Sequence, residues 1–122
     1  MRDKRGDGHV ETVTTEINNI LYRLGITARY RGYFYVSYAV GLAIKQPERL
    51  LMVTKWLYPE VARHFETSWS CVERNIRTVA NLAWKNNRDY LEVMACVPLN
   101  QKPTPSQFLG ILAAYISSDE AA

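Results

Sequence analysis

Apolar residues return every three or four positions along most of this chain, and the runs are closed by residues that stop a helix. Val13, Ile17, Ile20, Leu21 and Leu24 share one face, and Gly25 stands where a left-handed C-terminal cap belongs. The spacing therefore predicts a first helix over about Glu11–Leu24. The stretch Tyr33–Ile44 is rich in aromatic and β-branched residues, which suit a strand. Its apolar set, Phe34, Tyr38 and Leu42 with Val36, Val40 and Ile44, extends too far for one strand, so a helix is expected there, weakened at Gly41. Pro47 opens another helix over Glu48–Trp56, with Leu50, Leu51, Val53 and Leu57 available for burial. Beyond Trp84 a polar turn, Lys85–Asp89, leads to a short helix or turn at Tyr90–Cys96. Prolines make Pro98–Pro105 irregular, and Thr104 or Ser106 caps a last helix of about Ser106–Ile116, lined by Phe108, Leu109, Leu112, Ala113 and Ile116. Residues 1–9 are charged and glycine-containing and read as a flexible tail, leaving 10–118 as the folded domain.

The segment Leu57–Trp84 breaks this monotony. Val61, Ala62 and Phe65 lie on one face of a short helix with Pro59 near its start, and Glu66, Thr67 and Ser68 interrupt the pattern. A longer helix begins at Trp69 or Ser70, because Val72, Ile76, Val79, Ala80 and Ala83 form one apolar stripe. Ser70 and Glu73 have the spacing of a capping box, which places the helix start there. The opposite face carries Glu73, Arg74, Arg77, Thr78 and Asn81. A short helix, a tight turn and a second helix with an arginine-bearing outer face is the sequence form of a helix-turn-helix whose second helix enters a DNA major groove. Ordinary helical hairpins share the pattern, and a charged face is often only a solvated one, so the rest of the chain must decide.

Charge does change the picture. The chain has 122 residues, the size of one domain, and 48% of them are hydrophobic, enough for one core. Its formal charge is only +3, which permits nucleic-acid binding without demanding it. Between Arg23 and Arg77, however, nine Lys and Arg residues face four Glu, so the excess is concentrated around the two-helix motif. Cys71 and Cys96 lie far apart, with only His9 and His64 as companions, which indicates neither a zinc site nor a disulfide and leaves no cofactor to expect. His9 falls in the expected tail, His64 has no acidic or thiol partner at a defensible spacing, and no phosphate loop or nucleophile motif occurs, so an enzyme is not expected. The N-terminus is too polar for a signal peptide and no run reaches the ~20 apolar residues of a membrane span. A soluble, cytoplasmic, nucleoid-associated protein is the expectation.

Four blocks carry a more specific signal: LGITARYRGYFYVSYAV, TKWLYPEVARHFETSWSCVERNIRTVANLAW, the KNNRD turn and KPTPSQFLGIL. Together they make the segment from Glu16 to the last helix resemble the C-terminal DNA-binding effector domain of the sporulation initiation (stage zero) master response regulator family. The resemblance implies an all-α, compact bundle of about six helices containing the helix-turn-helix, which recognises a promoter box of the TGTCGAA type and regulates transcription. Carried over by position, Glu73 and Arg74 match the VER residues that meet base edges, and Arg77 matches a basic position on the same face. The chemistry agrees, since arginine pairs bidentately with guanine and glutamate accepts from cytosine N4. Glu73 could equally be a helix N-terminal carboxylate, and Arg77 a phosphate contact or a solvated arginine. Arg29, Arg31, Lys55, Arg63, His64 and Ser70 are candidates for contacts to the DNA backbone. The family's contact with the major vegetative sigma factor maps to Lys85–Val97, with Lys85, Arg88 and Tyr90 as contact residues and Tyr90 and Met94 either a docking patch or packed on the last helix. Binding as a homodimer or as a tandem pair on repeated boxes is expected.

The chain also departs from the family. Cys71 stands where an arginine is common and Thr78 where a basic or histidine-like residue is, which thins the reading face and leaves the exact box open. Trp69 is expected to pack under the helix start rather than against the sugar-phosphate backbone. Nothing in the sequence could form the family's phosphoacceptor receiver domain, so an excised effector domain and a stand-alone protein are both compatible with it. The competing reading is a helical protein-interaction domain, a sigma-factor or regulator partner, with weakened or lost base readout.

Overall fold

The computed structural model describes the backbone of residues 4–121 and the side chains of residues 13–118. Six α-helices and one 3-10 helix follow one another, with no strand among the described residues: α1 (Lys4–Arg23), α2 (Arg31–Lys45), the 3-10 helix (Pro47–Met52), α3 (Val53–Trp56), α4 (Tyr58–His64), α5 (Trp69–Ala95) and α6 (Pro105–Ala121). The all-α bundle is thus as expected. α2 lies at its centre and packs on α1, α4, α5 and α6, while α5 also packs on α4 and α6. One core joins Ile17, Leu21 and Leu24 of α1 to Val36 and Val40 of α2, Ile76 and Val79 of α5, and Phe108, Leu112 and Ile116 of α6.

α1 starts at Lys4 rather than Glu11, and so takes in much of the stretch expected as a tail; Met1–Asp3 lie outside the described residues. Once the apolar face from Val13 onward is docked, extending a helix adds one hydrogen bond per residue and needs no new nucleus. Its far end is closed as the sequence predicts. Gly25 has φ +80°, Ile26 N–H donates to the Leu21 carbonyl at 2.8 Å and Gly25 N–H to that of Tyr22 at 2.9 Å, the paired bonds of a Schellman cap.

In α2 the buried face is Gly32, Tyr35, Val36, Ala39, Val40 and Ala43, whereas Phe34 is exposed. Small residues on this face let a neighbouring helix approach, most closely at Gly32. A Cβ added at Gly32 would lie 2.4 Å from Val79 Cγ2 and 2.6 Å from the Asn75 carbonyl oxygen of α5.

The expected helix Glu48–Trp56 is instead a 3-10 segment followed by a single α-helical turn. Only Leu57, at its end, is fully buried, and Leu51 is 78% exposed, so no continuous apolar stripe holds an α-helix here. Arg49 ties the segment together by donating to the Gln46 side chain and to the Trp56 carbonyl.

The polar turn expected at Lys85–Asp89 is a kink within α5, at Asn87 (φ −156°, ψ 66°). The Asn87 side chain accepts from Tyr90 N–H at 3.3 Å, restarting the helix, and donates to the Arg23 carbonyl at 3.2 Å; Asn86 donates to the Leu24 carbonyl at 3.1 Å. These carbonyls at the end of α1 have no intrahelical donor, and the two asparagines supply it. Before α6 the chain from Pro98 is irregular, as its prolines require. Thr104 is the cap rather than Ser106: its hydroxyl accepts from Gln107 N–H at 3.2 Å and its own N–H donates to Gln107 Oε1 at 2.9 Å. α6 runs on past Ile116 to Ala121.

Candidate nucleic-acid interface

α4, the turn after it and the first half of α5 form the helix-turn-helix. Leu57, Tyr58, Val61 and Ala62 are buried and hold α4 against α5. The turn is closed by Thr67 N–H on the Ala62 carbonyl at 2.9 Å, with Glu66 in the left-handed region at φ 54°. α5 then starts on Ser68, whose hydroxyl accepts from Cys71 N–H at 3.1 Å. This corrects the capping box expected at Ser70 and Glu73. Ser70 sits inside the first turn with its hydroxyl 3.2 Å from that of Ser68, and Glu73 turns forward to pair with Arg77 instead of back to a cap.

Arg74 and Arg77 both stand on the solvent face of α5, with Ser70, Thr78 and Asn81, while Glu73 is half-buried at its edge. Their electrostatics differ. Glu73 and Arg77 satisfy one another across one helical turn. Among the described residues Arg74 has no acidic partner, so its guanidinium donors are free for a ligand. The buried Tyr58 reaches this edge from α4: its phenol is pushed up to about 12, by burial first and by the Glu73 carboxylate second, with Arg77 opposing.

Cys71 is half-buried beneath this face and knitted into the turn. The Asn75 amide donates to the Cys71 carbonyl at 2.8 Å and lies 3.5 Å from its sulfur. The neighbouring Thr67 is the main reason its pKa falls below the ordinary value; burial opposes that fall, and Tyr35, Arg74 and Arg31 add to it. Arg31 and Arg74, from different helices, thus both lie within electrostatic reach of one thiol. Thr78 is exposed and returns its hydroxyl to the Arg74 carbonyl at 3.1 Å.

Basic groups also lie on and beside the elements packed against α5. Arg29 and Arg31 are exposed at the entry to α2, where Gly32 lets that helix touch α5. Lys55 and Arg63 line an open cleft with Arg49 and Trp56. Arg63 is paired with Glu60, which holds the Glu60 carboxyl below its usual range. His64 is exposed and stacks flat on Tyr38, ring centres 3.9 Å apart. Arg49, which the sequence reading passed over, joins this cleft only through folding.

Lys85, Arg88 and Tyr90 lie apart from this cluster, along the second half of α5. Arg88 covers the Trp84 ring at 4.4 Å and donates to the Leu99 carbonyl, and Leu99 N–H donates to Glu92 at 2.8 Å, which fastens the proline-rich loop to the helix. Tyr90 is half-buried beneath Arg23, and Met94 is buried, leaving Val93 and Val97 as the exposed apolar residues there. Among the described residues no group of three or more His, Cys, Asp or Glu is placed to hold a metal ion, and no helix is long and apolar enough to cross a membrane.

Residues 17–116 match the family described as sporulation initiation factor Spo0A C terminal. The chain belongs to this family. The match opens inside α1 and closes inside α6, so it takes in α4, α5 and the turn between them. The Spo0A C-terminal family is that of the DNA-binding effector domain of a sporulation regulator, so DNA binding in transcription regulation is the business of this fold.

Proposed function

We propose that this chain is a sequence-specific transcription regulator that reads a short promoter box through the first half of α5. Arg74 is the principal base-reading group, donating to guanine O6 and N7, and the observation that carries this role is its unpaired guanidinium on the exposed face of α5. Glu73 and Arg77 enter as a pair. On DNA, Glu73 accepts from a cytosine amino group while Arg77 turns to a base or a phosphate, at the cost of an exposed ion pair that contributes under ~1 kcal/mol. Arg29, Arg31, Lys55, Arg63 and His64, with Ser70 at the helix start, hold the phosphate backbone and set the register. Two copies bind as a dimer or a tandem pair, as a small reader requires for affinity. Lys85, with Tyr90 and Arg88 shaping the surface behind it, offers the contact to a polymerase sigma factor.

Titration of duplexes with and without a TGTCGAA-type box, at two salt concentrations, tests this for wild type and Arg74→Ala. Wild type should prefer the box, and Arg74→Ala should lose roughly 10- to 100-fold on the box and much less on scrambled DNA. Equal binding of wild type to both duplexes sinks the proposal and leaves the protein-interaction reading in its place.

A further inference from the structure

Trp69 is 52% exposed and belongs to neither the core nor its packed fringe. It occupies the first position of α5, directly after the capping Ser68. Burial under the helix start was the expectation, and the fold leaves this large indole in solvent at the end of α5 that a helix-turn-helix directs toward base edges. Spacing of four residues puts Trp69, Glu73 and Arg77 along one edge of the helix. Of the neighbouring hydroxyls, Ser68 caps Cys71 N–H and Ser70 lies against Ser68. The indole is thus the apolar surface this end of the helix presents.

In a major groove the apolar feature that matches such a surface is the C5-methyl group of thymine; the rest of the base edges are donors and acceptors. We propose that Trp69 reads a thymine in the bound site by resting its indole on that methyl group. The inference builds on the box-reading role of α5, and adds to Arg74's polar contact an apolar one that discriminates thymine from the other bases.

The test needs no assumption about which thymine is read. Affinities are measured for the box duplex, for a scrambled duplex and for box duplexes in which each thymine in turn is replaced by deoxyuridine, which removes only the methyl group. Wild type should weaken about fourfold on one substituted duplex, the affinity equivalent of one buried methyl. Trp69→Ala, checked by thermal melting, should bind that duplex and the unsubstituted box alike. Should the alanine variant be unfolded, Trp69→Gln takes its place with the same expectation. Wild type that prefers the box but ignores every deoxyuridine overturns the inference and leaves the regulator proposal standing. So does a Trp69→Ala loss that is equal on box and scrambled DNA, the mark of a sugar-phosphate contact. Wild type with no preference for the box removes both.

Discussion

Gly32 and Gly41 lie in the same helix, and replacing each by alanine should move stability in opposite directions. At Gly41 an added Cβ meets nothing within 4 Å. The substitution there removes backbone freedom from the unfolded chain and improves helix propensity, a gain of about 0.5–1 kcal/mol. At Gly32 the same intrinsic gain is overridden by contact. The new Cβ would stand 2.4 Å from Val79 Cγ2 and 2.6 Å from the Asn75 carbonyl oxygen. Val79 is fully buried, so its side chain has no open space to swing into, and the oxygen is part of the α5 backbone. Relaxing 2.6 Å to an ordinary 3.4 Å requires α2 and α5 to part by about 0.8 Å. Overpacking of this kind costs about 1–3 kcal/mol, so Gly32→Ala should be destabilised by about 1–2 kcal/mol net. Urea titration of both variants measures the difference, provided the slope m is unchanged. Because the parted helices carry Arg31 and Arg74, Gly32→Ala should also bind DNA more weakly. A Gly32→Ala protein as stable as wild type would refute the close α2–α5 contact from which this is worked.

Ser68→Ala should cost about 1 kcal/mol in a thermal melt, and Ser70→Ala less than about 0.5 kcal/mol, since only Ser68 caps α5; the reverse order would move the cap back to Ser70. Tyr58 is favoured in its neutral form by the fold, so its contribution is whole below pH 10 and is lost as the pH rises toward about 12. That loss amounts to about 2–3 kcal/mol, and Tyr58→Phe should flatten it in a pH series of denaturation midpoints. Arg88→Ala should cost about 1 kcal/mol and speed limited proteolysis in the Pro98–Thr104 loop, because the guanidinium holds the Leu99 carbonyl. An unchanged melt and cleavage rate would show that Arg88 serves only a partner.

The sequence by itself determined the features governed by local geometry. Helical periodicity is a property of neighbours three and four apart, so the stripes of α1, α5 and α6 could be read directly. Gly25 and Thr104 acted as caps because their bonds close within a few residues. The order of short helix, turn and longer helix at α4 and α5, with Arg74 on the exposed face, was legible for the same reason. What the tertiary structure decided depends on partners distant in sequence. The polar run at Lys85–Asp89 became a kink rather than a turn because Asn86 and Asn87 serve the open carbonyls of α1, more than sixty positions away. α2 buried the face of Gly32, Tyr35, Val36, Ala39, Val40 and Ala43 rather than that of Phe34, with α5 in close contact at Gly32. Ser68 and Ser70 are indistinguishable as caps by type, and the turn bond from Thr67 to Ala62 accompanies the choice of Ser68. Trp69 looked like a core residue by composition and is exposed because the core beneath the start of α5 is completed by other side chains, Val72 and Ile76 among them. Hydrophobicity states what a residue would gain by burial, and only the assembled helices determine whether a place remains for it.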